Sequence, residues 1–139
     1  GVKLEPGASA TAAILEDPGI ELAKCQRYLN VVGGNGTAEW FCDGVASSAT
    51  NGQMAIQFPV EMRAEPVLLP TVPTIGNLSL ANNIGYELTA TSIGTSSTFR
   101  SKKAEYLSVN CNTGMTTKDY IFLRARGTTN ARIFFDANL

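Results

Sequence analysis

The single tryptophan of the chain lies between two carboxylates, a combination of side chains that suits contact with a sugar. Trp40 directly follows Glu39 and precedes Asp43 by three positions. The face of an indole ring can stack on the C–H groups of a sugar, and a neighbouring carboxylate can accept hydrogen bonds from its hydroxyls. These three residues are therefore candidates for carbohydrate binding. The alternative is a core role, in which Trp40 packs a short strand against the rest of the fold.

Two stretches rich in small polar residues, 76–83 and 94–103, are predicted to be loops and add further candidates. The first contains Asn82 and Asn83 and is followed by Tyr86. Such side chains can bond sugar hydroxyls, although Asn and Ser in these clusters more often bond the backbone groups of a turn. We include all three residues among the candidate carbohydrate contacts and keep turn formation as the alternative.

Two pairs of carboxylates raise the question of glycoside cleavage, which needs two carboxyl groups about 5 to 9.5 Å apart. Glu61 with Glu65, and Glu39 with Asp43, have spacings that allow it, but twelve acidic residues produce such pairs by chance. The chain has no histidine and no G-x-S-x-G sequence, and 33–36 lacks the Lys and Ser or Thr of a phosphate-binding loop. The sequence therefore predicts no catalytic residues and no enzyme activity in this domain.

The three cysteines, Cys25, Cys42 and Cys111, cannot all pair within one chain. Metal-binding cysteines usually occur in C-x-x-C-like spacings or beside histidines, and the chain has neither. The sequence therefore predicts three buried or half-buried thiols, no metal and no cofactor. A reducing compartment such as the bacterial cytosol fits this pattern. One disulfide formed after release stays open, with its pair undetermined.

Length and charge limit the fold class and the partners. With 139 residues the chain is long enough for one domain with its own hydrophobic core. Its formal net charge of -1 favours neither nucleic acid nor an anionic membrane surface. No apolar run approaches the roughly 20 residues of a membrane span, and the first residues lack the layout of a signal peptide. Because the sequence does not begin with Met, we expect a C-terminal piece of a longer protein.

One segment alone has the residue spacing of a helix. Leu22, Cys25 and Leu29 recur at the spacing of one helical face, so 21–29 is predicted to be a short amphipathic helix. An Asp-Pro pair at 17–18 supplies a capping carboxylate and a residue whose missing N–H costs nothing in the first turn. We expect the apolar face of this helix to close one side or end of a β-sandwich.

The helix also divides the chain. The glycine-rich 31–36 ends it, and residues 1–16 before it are predicted to be an extended segment or a linker from an upstream domain. Residues 17–139 then form the β-sandwich domain.

The rest of the chain alternates apolar and polar residues in short runs separated by turn-forming residues, which is the pattern of β-strands. The predicted strands are 53–60, 86–93, 105–111, 119–126 and 132–137, with shorter ones at 40–42 and 67–69. This spacing predicts an all-β fold, an antiparallel β-sandwich of jelly-roll type with one short N-terminal helix.

The last two predicted strands are joined by 127–130, a connection of hairpin length, so we expect them to pair. The pairing would gather five aromatic and basic side chains on one outer face. These candidate oligomer-interface residues are Phe122, Arg124, Arg126, Arg132 and Phe134. Arginine and aromatic residues are enriched in interface cores. The alternative is that the helix or a loop of the same chain covers this face.

Several blocks of the sequence resemble a segment that recurs near the C-terminal end of bacteriophage tail fibre and tailspike proteins. They are Lys3-Leu4-Glu5-Pro6-Gly7 with Ala10-Thr11, Glu21-Leu22-Ala23, Cys25-Gln26-Arg27-Tyr28, 58–66 and the closing 133–139. The resemblance implies a β-rich distal domain that helps to trimerise the fibre or touches the glycan of the host surface. It also implies a place in the tail of the virion, after assembly in the cytoplasm of the host bacterium.

Three hypotheses follow. The favoured one is a homotrimeric fibre domain that binds bacterial surface polysaccharide, with weak single sites multiplied by trimeric display. The second is a purely structural trimerisation or folding module. The third, disfavoured above, is a hydrolase acting on capsule; any such depolymerase activity is expected in an upstream domain of the parent protein. None of the three involves nucleic acid or membrane insertion.

Overall fold

The computed structural model describes residues 17–69, 75–82, 86–95, 100–127 and 131–137. Within these ranges the chain forms one α-helix, one short 3-10 helix and nine strands. The elements are α1 (Pro18–Gln26), β1 (Leu29–Gly33), β2 (Trp40–Ala46), β3 (Asn51–Gln57), β4 (Val67–Leu68), the 3-10 helix (Ile75–Asn77), β5 (Leu78–Ala81), β6 (Glu87–Thr95), β7 (Ala104–Cys111), β8 (Tyr120–Ala125) and β9 (Arg132–Asp136). The prediction of an all-β fold with one N-terminal helix is confirmed.

Six of the strands close into a barrel in the order β2-β3-β7-β6-β5-β8, and every neighbouring pair is antiparallel. Every second side chain of a strand points into the barrel. Ile121, Leu123 and Ala125 of β8 are fully buried there, as are Leu107 and Val109 of β7. The alternation predicted for 105–111 and 119–126 is confirmed. Closure of the sheet leaves these six strands without a free edge.

The other three strands form a small antiparallel sheet in the order β1-β9-β4. Its central strand, β9, points Ile133 and Phe135 inward, and the Phe135 ring packs edge-on against Phe58 with 5.1 Å between the ring centroids. The inner side chains of both sheets belong to one hydrophobic core. The finer prediction of a jelly-roll sandwich finds no support, because the larger sheet closes on itself.

The predicted hairpin between the last two strands is wrong. Strand β8 pairs with β2 and β5 in the barrel, whereas β9 pairs with β1 and β4 in the small sheet. The connection 127–130 therefore leads from one sheet to the other. Alternation in the sequence defines which side chains share a face of a strand, but it leaves the partner strand undefined.

The helix begins where the sequence predicts but ends earlier. Asp17 Oδ1 accepts a hydrogen bond from the backbone N–H of Gly19 at 2.7 Å, and Pro18 takes the first helical position. The helix stops at Gln26, and Leu29 already belongs to β1. The β-branched Val31 and Val32, which belong to the segment predicted to end the helix, continue that strand.

The expected docking of the helix on the sheets is also wrong. No residue of α1 is buried, Leu22 is 58% exposed, and Cys25 and Leu29 are exposed as well. The predicted loop 76–83 contains β5, whose four residues are all buried. The predicted segment 1–16 lies outside the described residues.

One carboxylate lies inside the barrel. Glu105 occupies an inward position at the start of β7 and its side chain is 0% exposed. Its Oε2 lies 3.6 Å from Nε of Arg100, too far for a hydrogen bond, while the backbone N–H of Tyr106 donates to its Oε1 at 3.3 Å. Burial raises the pKa of Glu105, and the charge of Arg100 opposes that rise only in part.

Candidate functional site

Two of the candidate sugar-binding residues share the outer face of the barrel because β2 contains a bulge. The register of β2 against β8 shifts between Trp40 and Cys42, so that Trp40 lies opposite Arg124 and Asp43 opposite Phe122. In a regular strand, residues three positions apart point to opposite faces. The extra residue of the bulge puts Trp40 and Asp43 on the same face.

Three aromatic rings from β2 and β8 stack on this outer face. The Trp40 and Phe122 rings are nearly parallel, at 21°, with centroids 4.5 Å apart, and Tyr120 meets Phe122 edge-on at 5.1 Å. Trp40 remains 63% exposed and Tyr120 50% exposed. One face of the indole therefore rests on Phe122 while its other face is open. We name Trp40, Asp43, Tyr120 and Phe122 the aromatic platform.

The carboxylate of Asp43 is held on the platform by Tyr120 of β8. The Tyr120 hydroxyl donates a hydrogen bond to Asp43 Oδ2, and this bond raises the pKa of Tyr120. Tyr120 is thus kept as a donor to Asp43. Beneath the face, burial and then the charge of Asp43 raise the pKa of the Cys42 thiol to about 12, so this thiol is not a nucleophile at neutral pH.

The platform borders a shallow cavity of about 260 Å³. Its lining consists of Trp40, Phe41, Cys42, Asp43, Tyr120 and Phe122. This volume is below the usual range for an enclosed ligand pocket, which is about 300 to 1,000 Å³. The geometry fits a sugar ring lying against an open aromatic surface, with a carboxylate at its side.

A paired arginine lies next to the platform. Arg124 Nη2 donates to Glu87 Oε2 at 2.6 Å, and the Ser79 hydroxyl donates to Glu87 Oε1 at 2.7 Å. The hydrogen bond from Ser79 is the main cause that lowers the pKa of Glu87. The pairing with Arg124 lowers it further, while burial opposes the shift in part. The charge of Arg124 is therefore already compensated within the chain.

The five predicted interface residues do not form one face. Phe122 and Arg124 lie on the barrel, Arg126 is exposed just after β8, and Arg132 and Phe134 lie on β9 in the small sheet. The expected single surface depended on the hairpin that does not form. Phe122 instead belongs to the aromatic platform.

The other predicted sugar contacts have local structural roles. The Glu39 carboxylate accepts hydrogen bonds from the backbone N–H and side-chain amide of Asn35, at 3.0 and 3.1 Å, and closes the loop before β2. Asn82 is buried and its Oδ1 accepts from the Tyr86 backbone N–H at 3.2 Å. Asn83 lies outside the described residues. The turn alternative therefore describes Asn82, while Glu39 has a loop-closing role of its own.

Tyr86 is anchored at the other end of β8 from Trp40. Its hydroxyl donates to Asp119 Oδ2 at 3.1 Å, and burial together with this bond raises the pKa of Tyr86 to about 12. Asp119 directly precedes β8, whereas Trp40 lies opposite Arg124 near its end. The structure therefore groups Trp40 with Asp43 and places Tyr86 elsewhere.

The carboxylate pairs considered for glycoside cleavage are engaged in separate contacts. Glu61 lies 3.6 Å from Lys103 on an exposed surface, and Glu39 and Asp43 bond to Asn35 and Tyr120 respectively. Within the described residues, no cluster of three or more His, Cys, Asp or Glu side chains is suited to hold a metal ion.

A second exposed surface involves α1 and β1. Among the described residues, eight large apolar side chains are exposed, and three of them, Trp40, Val45 and Tyr120, lie on the outer face of the barrel. The other five are Ile20, Leu22, Tyr28, Leu29 and Val31, which are 41 to 58% exposed. We name these five residues the α1–β1 face.

A comparison of the chain with known protein families, curated proteins and solved structures found no match. The fold defines the chain as an all-β protein with a six-stranded barrel and a three-stranded sheet. The resemblance to phage tail fibres rests on its sequence blocks alone. In the described part of the chain, no helix has the length and apolar character needed to cross a membrane.

Proposed function

We propose that this chain is the distal domain of a bacteriophage tail fibre or tailspike and that it binds carbohydrate on the host surface through the aromatic platform. The open face of Trp40 beside the Asp43 carboxylate carries this proposal. The sequence blocks supply the biological setting, a fibre in the virion tail that is assembled in the host cytoplasm. The proposed role is binding, with no catalytic step.

The rigidity of the platform supports a binding role. Trp40 is backed by Phe122, Phe122 is flanked by Tyr120, and Tyr120 is bonded to Asp43. All four residues are carried by two hydrogen-bonded strands of a closed barrel. A site that is already ordered loses little conformational entropy when a ligand binds.

Retention on arrays of bacterial polysaccharides tests this function, with wild-type protein compared with the Trp40→Ala variant. Loss of the stacking ring should weaken retention by roughly five- to tenfold. Tyr106→Ala is the matched control, because it removes a ring from the outer face of β7, away from the platform. Wild-type retention by Trp40→Ala, or no retention of the wild-type protein by any glycan, would contradict the proposal.

A second function, self-association into a homotrimer, is favoured by the α1–β1 face. Positions 20–31 carry five of the eight exposed large apolar side chains of the described residues, and a concentration of exposed apolar side chains often marks an interaction surface. Within the described residues β1 has one partner strand, β9, so its other edge can receive a strand. We propose that copies of the chain meet here and that the trimer multiplies the weak affinity of each platform.

Light scattering at micromolar protein concentration tests whether the chain forms a trimer. The wild-type protein should show three times the mass of one chain, and Val31→Glu should dissociate it. Val45→Glu is the matched control, because Val45 is 46% exposed on the barrel while Val31 is 42% exposed on β1. A monomeric wild-type protein, or equal dissociation by both variants, would contradict assembly through this face.

A further inference from the structure

We propose that the aromatic platform selects neutral, hydroxyl-rich glycans and rejects glycans that carry carboxylates. This inference rests on the proposed carbohydrate-binding function and adds the chemical class of the ligand. It is carried by the position of Asp43, an exposed carboxylate next to the open face of Trp40 that has no cationic partner among the described residues.

The charges around the platform leave Asp43 uncompensated. Within the described ranges, the Tyr120 hydroxyl supplies the hydrogen bond to this carboxylate, and no Lys or Arg pairs with it. Arg124 lies opposite Trp40, two residues along β8 from the partner of Asp43. Its Nη2 is paired with Glu87 Oε2 at 2.6 Å. Arg126 acts on that same Glu87 carboxylate. The field beside the indole is therefore set by the negative charge of Asp43.

The hydrogen-bonding capacity of the platform points to the same ligand class. A carboxylate only accepts hydrogen bonds, and the Tyr120 hydroxyl spends its one hydrogen on Asp43, so its oxygen can serve a ligand only as an acceptor. The indole N–H of Trp40 is the one donor among the platform side chains. A ligand must therefore supply hydroxyl hydrogens. A sugar carboxylate would bring further acceptors and a like charge.

Matched polymers that differ only in charge test this selectivity. Unmodified dextran is compared with carboxymethylated dextran of the same length. Methyl-esterified polygalacturonate is compared with its de-esterified form. At low ionic strength the wild-type protein should retain the neutral member roughly five- to tenfold better, and added salt should reduce this ratio. Asp43→Asn should bring the ratio close to one, because the amide keeps the shape without the charge.

The control variant is Glu61→Gln, which removes one exposed carboxylate elsewhere on the surface and should leave the ratio unchanged. Equal retention of both members by the wild-type protein would overturn the inference while the proposed function stands. An unchanged ratio in Asp43→Asn would also overturn it. Retention of the wild-type protein by none of these polymers and by no glycan of the bacterial polysaccharide arrays would overturn the proposed function and this inference with it.

The single tryptophan permits a second test that needs no glycan. Fluorescence of Trp40 is quenched by contact with iodide, caesium or neutral acrylamide. Iodide should quench the wild-type protein less efficiently than caesium, relative to free tryptophan, and Asp43→Asn should remove the difference. Acrylamide quenching should be the same in both proteins. Equal ionic quenching in the wild-type protein would show that Asp43 does not control the charge at the ring.

Discussion

Two arginine–carboxylate pairs lie on the same barrel, Arg124–Glu87 on its outer face and Arg100–Glu105 at its interior. In the outer pair the donor and acceptor are 2.6 Å apart, and Ser79 donates to the second carboxylate oxygen. In the inner pair they are 3.6 Å apart, and neither Arg100 Nε nor Glu105 Oε2 has a hydrogen-bond partner within the described residues. The same two residue types thus occur in two different environments.

The two environments shift the pKa values of Glu87 and Glu105 in opposite directions. Hydrogen bonding to Ser79 and pairing with Arg124 lower the pKa of Glu87 below the usual value of 4.5, whereas burial raises the pKa of Glu105 above it. By linkage, Glu87 stabilises the fold above pH 4.5, and this contribution is lost as the pH falls through its lowered pKa. The contribution of Glu105 is complete below pH 4.5 and is lost as the pH rises through its raised pKa.

The largest effect is expected for Arg100→Met. This variant leaves the Glu105 carboxylate buried without a cation, which should lower the free energy of unfolding by about 3 kcal/mol at pH 7. Urea denaturation at several pH values measures this loss in the free energy of unfolding. The cost should shrink on acidification, because a protonated Glu105 needs no counter-charge. Arg124→Met is the matched variant for the outer pair, with an expected cost of about 1 kcal/mol; equal costs would contradict the distinction between the pairs.

A smaller effect of opposite sign is expected for Glu105→Gln. The amide resembles the protonated carboxyl, so the variant avoids the cost of burying a charge and should be more stable than wild type by about 1 kcal/mol at pH 8. Arg100 keeps its hydrogen bond to Thr95 Oγ1 at 3.1 Å. Thermal unfolding between pH 4 and pH 8 should show the gain appearing as the pH rises. A gain in stability that is largest at pH 4 would contradict a raised pKa for Glu105.

The smallest effect is expected for Glu87→Gln. A pair whose side chains are 25% and 33% exposed contributes little after solvent screening, so the variant should lose about 0.5 kcal/mol at pH 7. The loss should disappear as the pH falls below 4.5 and should be reduced in concentrated salt. Denaturation of Glu87→Gln and Glu105→Gln in low and high salt compares them directly. Salt sensitivity confined to the inner variant would contradict this account.

The sequence predicted the inward faces of the strands well and their partners poorly. The buried alternation of Ile121, Leu123 and Ala125 is visible in the sequence because strand side chains alternate with a period of two. The sequence gives no strand signal for β5 because its four residues include a buried serine and lie in 76–83, a stretch rich in the small polar residues of loops. The partner of β8 could not be predicted, because long-range pairing depends on how the whole sheet closes.

The candidate site was predicted in part for a related reason. The chemistry of Trp40 and Asp43 marks them as candidates, but their spacing alone predicts that they lie on opposite faces of β2. The alternation in 119–126 put Tyr120 and Phe122 on one face, yet nothing in it indicated that this face lies beside Trp40. The bulge in β2 and the pairing of β2 with β8 are tertiary features, and together they assemble the platform.

The pairing of β2 with β8 also has a consequence for how the protein folds. The two strands that carry the platform are separated in sequence by most of the barrel, since β2 begins at Trp40 and β8 at Tyr120. Contacts of such long range slow folding, because they close a long loop at a cost in chain entropy. During synthesis the barrel cannot close until β8 has left the ribosome. A truncated or incompletely folded chain would therefore display no assembled platform, and only copies that complete the barrel would present the proposed binding site.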